Sequence, residues 1–290
     1  MESKNTFRGL SWFFLSLIVS VSLDVLSKKA GQSLSGAEVT FYRYLLASLV
    51  LVPFLMHQWL QDGFGITPYW KVHIFRGLLL FGAIWLRCYG LQYVAINTAV
   101  VLNYAVPFFT LIFSVPLLHE HSSRSRWITT LIAFSGLLIV LNPSDMSGKY
   151  VSILLLSAFM FSLVDIYNKK YICKESMINM LFYTALCAFI FSIYPAYKNT
   201  TCTFFTGLWN NLWVILGLGI GANLFFYCLL KAFSYMDASA LAPFQYCDFI
   251  ISALMGYVFF SEKLTLPTCC GFAIIAPCAL FLTYKESKKK

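Results

Sequence analysis

The chain has 290 residues, of which 59% are hydrophobic and 11% charged, with a formal net charge of +9. A soluble domain carries about 25% charged residues, so this chain has too little polar surface for a water-soluble globule, and its mean hydropathy of +0.74 points to the bilayer as solvent. The positive charges lie in short segments and at the ends, four of them between Lys285 and Lys290, which is how membrane proteins orient themselves and excludes a basic nucleic-acid-binding face.

A helix crosses about 30 Å of hydrocarbon in roughly 20 residues. Apolar stretches of that kind fall at 10–29, 38–56, 72–92, 96–118, 126–142, 150–171, 177–197, 211–233, 238–260 and 267–284. The apolar run of the first, Leu10 to Leu23, is followed by Asp24, Lys28 and Lys29 and not by a small-residue cleavage site, so it reads as a retained span and not a signal peptide. Asp24 and Lys28 share one helix face at i, i+4. Either they neutralise each other, or Asp24 faces a cavity and attracts a cation.

Arg43 lies five residues into span two, in an apolar run that ends at Pro53. A charge at the bilayer centre costs at least about 2.5–3.5 kcal/mol on insertion scales. Arg43 therefore faces a wet cavity and holds a carboxylate, or it pairs with another helix or snorkels to the interface. Glu38 is the acid nearest to it in sequence. Span three brings Trp85 together with Arg87 and Tyr89. Trp85 either stacks on a planar base and meets a cation through its ring face, or sits in an interfacial aromatic belt.

Span four carries Asn103 and Tyr104 near Pro107, and span nine carries Gln245 and Tyr246 near Pro243. Proline interrupts the helical ladder and frees backbone carbonyls. An amide beside an aromatic at mid-membrane suits a ligand with a hydrogen-bonding ring; interhelical hydrogen bonding is the alternative. Asp248 is a lone acid in span nine, and Asp165 with Lys169 in span six repeats the spacing of Asp24 with Lys28. Glu120 and Glu262 read as span-end residues.

The same motifs recur along the chain. Asp24, Lys28 and Lys29 return as Asp165, Lys169 and Lys170 at an offset of 141, as does Phe41-Tyr42 in Phe182-Tyr183. Pro53, Tyr104 and Glu120 return as Pro195, Tyr246 and Glu262 at an offset of 142. One inserted residue between Tyr42 and Pro53 reconciles the registers. The expected fold is an all-α integral membrane protein of ten transmembrane helices, built as two inverted five-helix repeats over 1–145 and 146–290. Five spans per half is an odd number, so the second half enters the membrane upside down, and such proteins carry a site near the midplane between their halves. With the N-terminus inside, 14 lysines and arginines fall on inner segments and 5 on outer ones, which places both termini in the cytoplasm.

The nine cysteines form no CxxC or Cys/His cluster, and the four histidines lie near span ends. The cysteines read as small buried apolar residues, without a disulfide framework or a metal site. No catalytic constellation or phosphate loop is present, and no cofactor is implied.

From Phe41-Tyr42-Arg43 and the paired spans ending at Glu120 and Glu262, the chain resembles the drug/metabolite transporter superfamily, in its ten-helix class with two EamA-type repeats. In Arg76 to Leu80, Asp165 to Lys170, Lys174 to Tyr183 and Leu230 to Pro243 it resembles the S-adenosylmethionine uptake transporters of obligate intracellular bacteria. Gln245, Tyr246 and Asp248 depart from that pattern. The resemblance implies a transporter and not an enzyme. It would work by alternating access as a monomer or homodimer, importing S-adenosylmethionine across the bacterial inner membrane in exchange for S-adenosylhomocysteine. Tyr104, Tyr246 and Trp85 would then meet the adenine ring and sulfonium, Asp24, Asp165 or Asp248 the cationic groups, and Arg43 the carboxylate. The competing expectation is a proton-coupled amino-acid or metabolite exporter of the same fold, in which an intramembrane acid such as Asp24 or Asp248 carries the proton.

Overall fold

A computed structural model describes residues 2–62, 67–91, 102–103, 105–120, 123–140, 148–198, 209 and 211–248, with 251–252, 254–255, 273–274, 277 and 281 beyond them. All regular structure among the described residues is helical. The helices are α1 (Glu2–Ala30), α2 (Gly36–Asp62), α3 (Trp70–Leu91), α4 (Ala105–Leu118), α5 (Arg124–Val140), α6 (Gly148–Tyr171), α7 (Met177–Lys198), α8 (Leu212–Tyr235) and the single turn α9 (Ala238–Leu241). A 3₁₀ helix, Ala242–Tyr246, continues directly from α9.

Among the described residues six helices are long and apolar enough to cross a membrane: α1, α2, α3, α6, α7 and α8. The expected spans four and five correspond to α4 and α5, which are 14 and 17 residues long. Span ten lies outside the described residues apart from 273–274, 277 and 281. Span nine does not begin as one regular helix. Pro243 has no N–H to offer the α ladder, and the chain tightens there from α9 into the 3₁₀ turn that carries Gln245 and Tyr246.

Helix boundaries recur with the sequence repeat. Ala30 and Tyr171 end α1 and α6, and Gly36 and Met177 begin α2 and α7, both 141 apart; Trp70 and Leu212 begin α3 and α8, 142 apart. The cap recurs too. Ser35 Oγ accepts from the Glu38 N–H at 3.3 Å while Glu38 Oε2 accepts from the Ser35 N–H at 2.8 Å. Ser176, 141 residues on, accepts from the Asn179 N–H at 3.1 Å.

Packing between the two stretches is reciprocal. α1 packs on α8 while α3 packs on α6; α2 packs on α8 while α3 packs on α7; and α2 packs on α7. Glycine allows the closest of these approaches. A Cβ on Gly77 of α3 would lie 3.1 Å from the Ala188 backbone nitrogen of α7, and one on Gly219 of α8 would lie 3.2 Å from that of Ala47 on α2. The four residues are related by the same offsets. Small residues that bring backbones together are the usual means of packing helices in lipid, where no hydrophobic force drives them together.

Candidate functional site

A cavity lies between α1, α2, α3, α4, α6, α8 and the 3₁₀ turn, and encloses about 1060 Å³ including its open mouth. Each wall is set by helix periodicity. On α1, Ser16, Ser20, Asp24 and Ser27 follow at near-helical spacing and all line the cavity, forming one polar stripe on an otherwise apolar helix. On α3, Ile84, Arg87 and Cys88 do the same.

Five expected site residues are brought together here: Asp24, Arg43, Asn103, Asp165 and Gln245. Asn103 and Gln245 contribute amides from two different helices, Gln245 because the 3₁₀ turn presents it to the cavity. Tyr104 lies outside the described residues. Trp85 does not line the cavity; it stacks on Phe81 with centroids 5.6 Å apart and stays 37% exposed. Tyr246 is fully buried and also off the cavity wall, because the turn that shows Gln245 to the cavity rotates its neighbour away. Asp248 is not on the wall either. One of its carboxylate oxygens is buried without a hydrogen-bond partner, within electrostatic reach of Asp24 and Arg87.

The ion pairing differs from the i, i+4 expectation. Asp24 Oδ2 accepts from Arg87 Nη2 of α3 at 2.9 Å. Lys169 turns away from Asp165 and donates from Nζ to the carbonyls of Phe233 and Met236 at 2.8 and 2.7 Å, where the C-terminal end of α8 concentrates negative partial charge. Glu38 is taken up by the capping box and does not pair with Arg43. Two charges on the cavity wall are thereby left without an ion pair among the described residues, the Arg43 guanidinium and the Asp165 carboxylate. The Arg43 Nε is buried and makes no hydrogen bond; the guanidinium lies 5.9 Å from the centroid of the Tyr44 ring. Among the described residues the cavity thus offers one cation and one anion free to bind, beside an internally neutralised pair.

Among the described residues the rings facing the cavity are phenylalanines: Phe13, Phe161, Phe225, Phe226 and Phe233. With 28 phenylalanines in the chain, no single one stands out in sequence. Arg87 and the α1 serines did carry a signal, a polar stripe at helical spacing in an apolar helix. Free positive and negative groups, two amides and several ring faces suit a zwitterionic ligand with an aromatic ring.

Glu120 sits at the far end of this arrangement. His119, in the left-handed region at φ 55°, turns the chain after α4. Glu120 then accepts from the backbone N–H groups of Ala238 and Ser239 at 3.1 and 3.0 Å. Arg126 donates to Ser239 Oγ at 2.7 Å and lies 3.6 Å from Asp237. These contacts fix α9, and with it the turn that presents Gln245.

A model of the EamA-like transporter family matches residues 7–142 and again 148–284. The chain is 40% identical to an S-adenosylmethionine uptake transporter of Rickettsia bellii over 97% of its own length and 94% of the relative's. It is 38% identical to the protein of that name from Rickettsia prowazekii, over 98% and 95%. A riboflavin transporter of Vibrio cholerae is 26% identical over 88% of this chain and 85% of the relative. One crystal structure superposes with a TM-score of 0.76 at 16% identity over 98% of both chains, a likeness of fold.

Proposed function

The chain belongs to the EamA-like transporter family, and on that premise we propose that it imports S-adenosylmethionine across a bacterial inner membrane in exchange for S-adenosylhomocysteine. The observation that carries this reading is the 38–40% identity, over 97–98% of the chain, to four Rickettsia proteins named S-adenosylmethionine uptake transporter. The cavity supports it chemically. The unpaired Arg43 suits the carboxylate, Asp165 the ammonium, the phenylalanine faces the sulfonium and adenine, and Asn103 and Gln245 the ring's hydrogen-bonding edge. Two cations and two carboxylates on the wall leave it near neutral overall, which suits both a singly positive substrate and a neutral by-product.

In this reading the two family matches are inverted five-helix halves, and alternating access is an exchange of their reciprocal contacts. Recurring helix boundaries, caps and glycine contacts support it. The lysine and arginine bias puts both termini in the cytoplasm. A cytoplasm-active reporter joined after Lys290 should therefore work and a periplasm-active one should not; the reverse pattern would refute this orientation.

Uptake of labelled S-adenosylmethionine by bacteria expressing the chain tests the substrate. Saturable uptake is expected, with the label released by added S-adenosylhomocysteine and not by methionine or adenosine. Absence of uptake by correctly inserted protein would reject the substrate and favour the exporter alternative, in which an intramembrane acid such as Asp24 or Asp248 would carry the proton.

A further inference from the structure

A second, smaller void lies between α2, α3, α7 and α8; it encloses about 340 Å³ counting its open mouth, and its interior has room for about one water molecule in this conformation. It shares Phe226 with the large cavity. Consecutive residues of α2 face the two spaces, Arg43 the cavity and Tyr44 the void. On α3, Arg87 lines the cavity and Arg76 the void, and eleven residues of helix separate them by about 16 Å. Elsewhere the linings adjoin, Leu80 on the void and Ile84 on the cavity one turn apart on α3, so the two spaces are neighbours that meet at Phe226.

The void is lined by three buried polar groups that lack hydrogen-bond partners: Arg76 Nε, Tyr44 Oη and Thr184 Oγ1. Their residues are 3%, 1% and 5% exposed. The terminal nitrogens of Arg76 are already engaged, Nη2 by Asn168 Oδ1, and Nη1 by His73 Nδ1 at 3.2 Å and the Met180 carbonyl at 3.5 Å. Its Nε is left over. Each buried orphan costs about 1–3 kcal/mol, and three on one void call for a reason beyond packing. All three can donate a hydrogen bond, and one belongs to a guanidinium. An anionic oxygen is what such a set accepts best.

We propose that this void is a second binding subsite, for the substrate's carboxylate in transit between the cavity and the opposite face of the membrane. The proposal rests on the transporter reading. A substrate held at Arg43 moves past Phe226, and its carboxylate passes to Arg76, Tyr44 and Thr184. Thr184 is the counterpart of Arg43 at the 141-residue offset, so the two positions face neighbouring spaces, Arg43 the cavity and Thr184 the void. In this conformation the path is closed on that side. His73 and Arg76 meet Asn168 and Glu175 across the α3–α6 end, with His73 Nε2 3.8 Å from Glu175.

The test compares wild type, Arg76→Gln and Thr184→Val in proteoliposomes, with S-adenosylmethionine and its decarboxylated analogue, measuring equilibrium binding and exchange rate for each. Arg76→Gln should slow exchange of S-adenosylmethionine at least about tenfold, leave its Kd within about threefold because the cavity is intact, and leave exchange of the analogue unchanged. Thr184→Val should slow the first compound alone, by less, without lowering the Tm, since it removes an unpartnered buried hydroxyl. Equal slowing of both compounds would make Arg76 a structural latch and overturn the subsite. No slowing of either would mean the void holds only water, and would also overturn it. Wild-type vesicles that exchange neither compound would reject the transport reading itself, and this subsite with it.

Discussion

Arg43→Gln is expected to bind S-adenosylmethionine at least about thirty-fold more weakly while folding and inserting as well as wild type. Removing one partner of a buried charge pair costs about 2–5 kcal/mol, and each 1.4 kcal/mol is about tenfold in affinity. The partner lost here belongs to the ligand. Arg43 makes no ion pair among the described residues, and its buried Nε is unsatisfied, so the unliganded protein already bears the cost of holding that charge. Its removal strands nothing. Arg87→Gln would differ, because it leaves Asp24 without the 2.9 Å contact that neutralises it, and should lower stability as well as binding. Arg43→Lys should fall between, keeping the charge and losing the two-pronged geometry. Cys88 supplies a readout. It lines the same cavity, so S-adenosylmethionine should slow its alkylation, followed residue by residue by mass spectrometry, in wild type and not in Arg43→Gln. A correctly inserted Arg43→Gln with unchanged affinity and unchanged protection would end the assignment of Arg43 to the carboxylate.

The charged half of this site was legible in the sequence, and the reason is physical. A charge within a span is costly enough that it must have a purpose or a partner, so Asp24, Arg43 and Asp165 stood out against an 11% charged chain. Their partners were not legible. Local spacing pointed Asp24 to Lys28 and Asp165 to Lys169, yet Arg87 reaches Asp24 from 63 positions away and Lys169 is taken by the carbonyls ending α8. Tertiary packing chose between nearby and distant partners, and periodicity says nothing about distant ones. The aromatic half was misread for a related reason. Tyr246 and Trp85 attracted attention as amphipathic rings, but the 3₁₀ turn at Pro243 shows Gln245 to the cavity and hides Tyr246, and a break in helix register cannot be dated to the residue from sequence. The wet rings are phenylalanines, whose abundance conceals them. The repeat was the most legible feature, because it needs only identity at fixed offsets, and the helix boundaries and caps follow it.

Gly77→Ala and Gly219→Ala are expected to cost stability by similar amounts, whereas Gly148→Ala costs none. A Cβ at position 77 would stand 2.3 Å from the Cys187 Cβ and 3.1 Å from the Ala188 nitrogen; at position 219 it would stand 2.5 Å from the Leu46 Cβ and 3.2 Å from the Ala47 nitrogen. These obstacles are backbone atoms or are bonded directly to backbone, so no rotamer change relieves them and the helices must part. Overpacking of this kind costs about 1–3 kcal/mol. Nothing lies within 4 Å of a Cβ on Gly148. Thermal unfolding in detergent checks the comparison, and three variants of equal Tm would refute the contact geometry. The two sites should part company in function. Ala47 lies one helical turn from Arg43, and Ala188 one turn from Thr184. Ala47 itself lines the smaller void, so pushing α2 away from α8 disturbs the void as well as the cavity at Arg43, and Gly219→Ala should both weaken binding of S-adenosylmethionine and slow its exchange. Pushing α7 away from α3 disturbs the smaller void, so Gly77→Ala should slow exchange with binding preserved. A pair of equivalent contacts in a repeat then gives two different kinetic defects, because the Gly219 contact touches both spaces and the Gly77 contact the void alone.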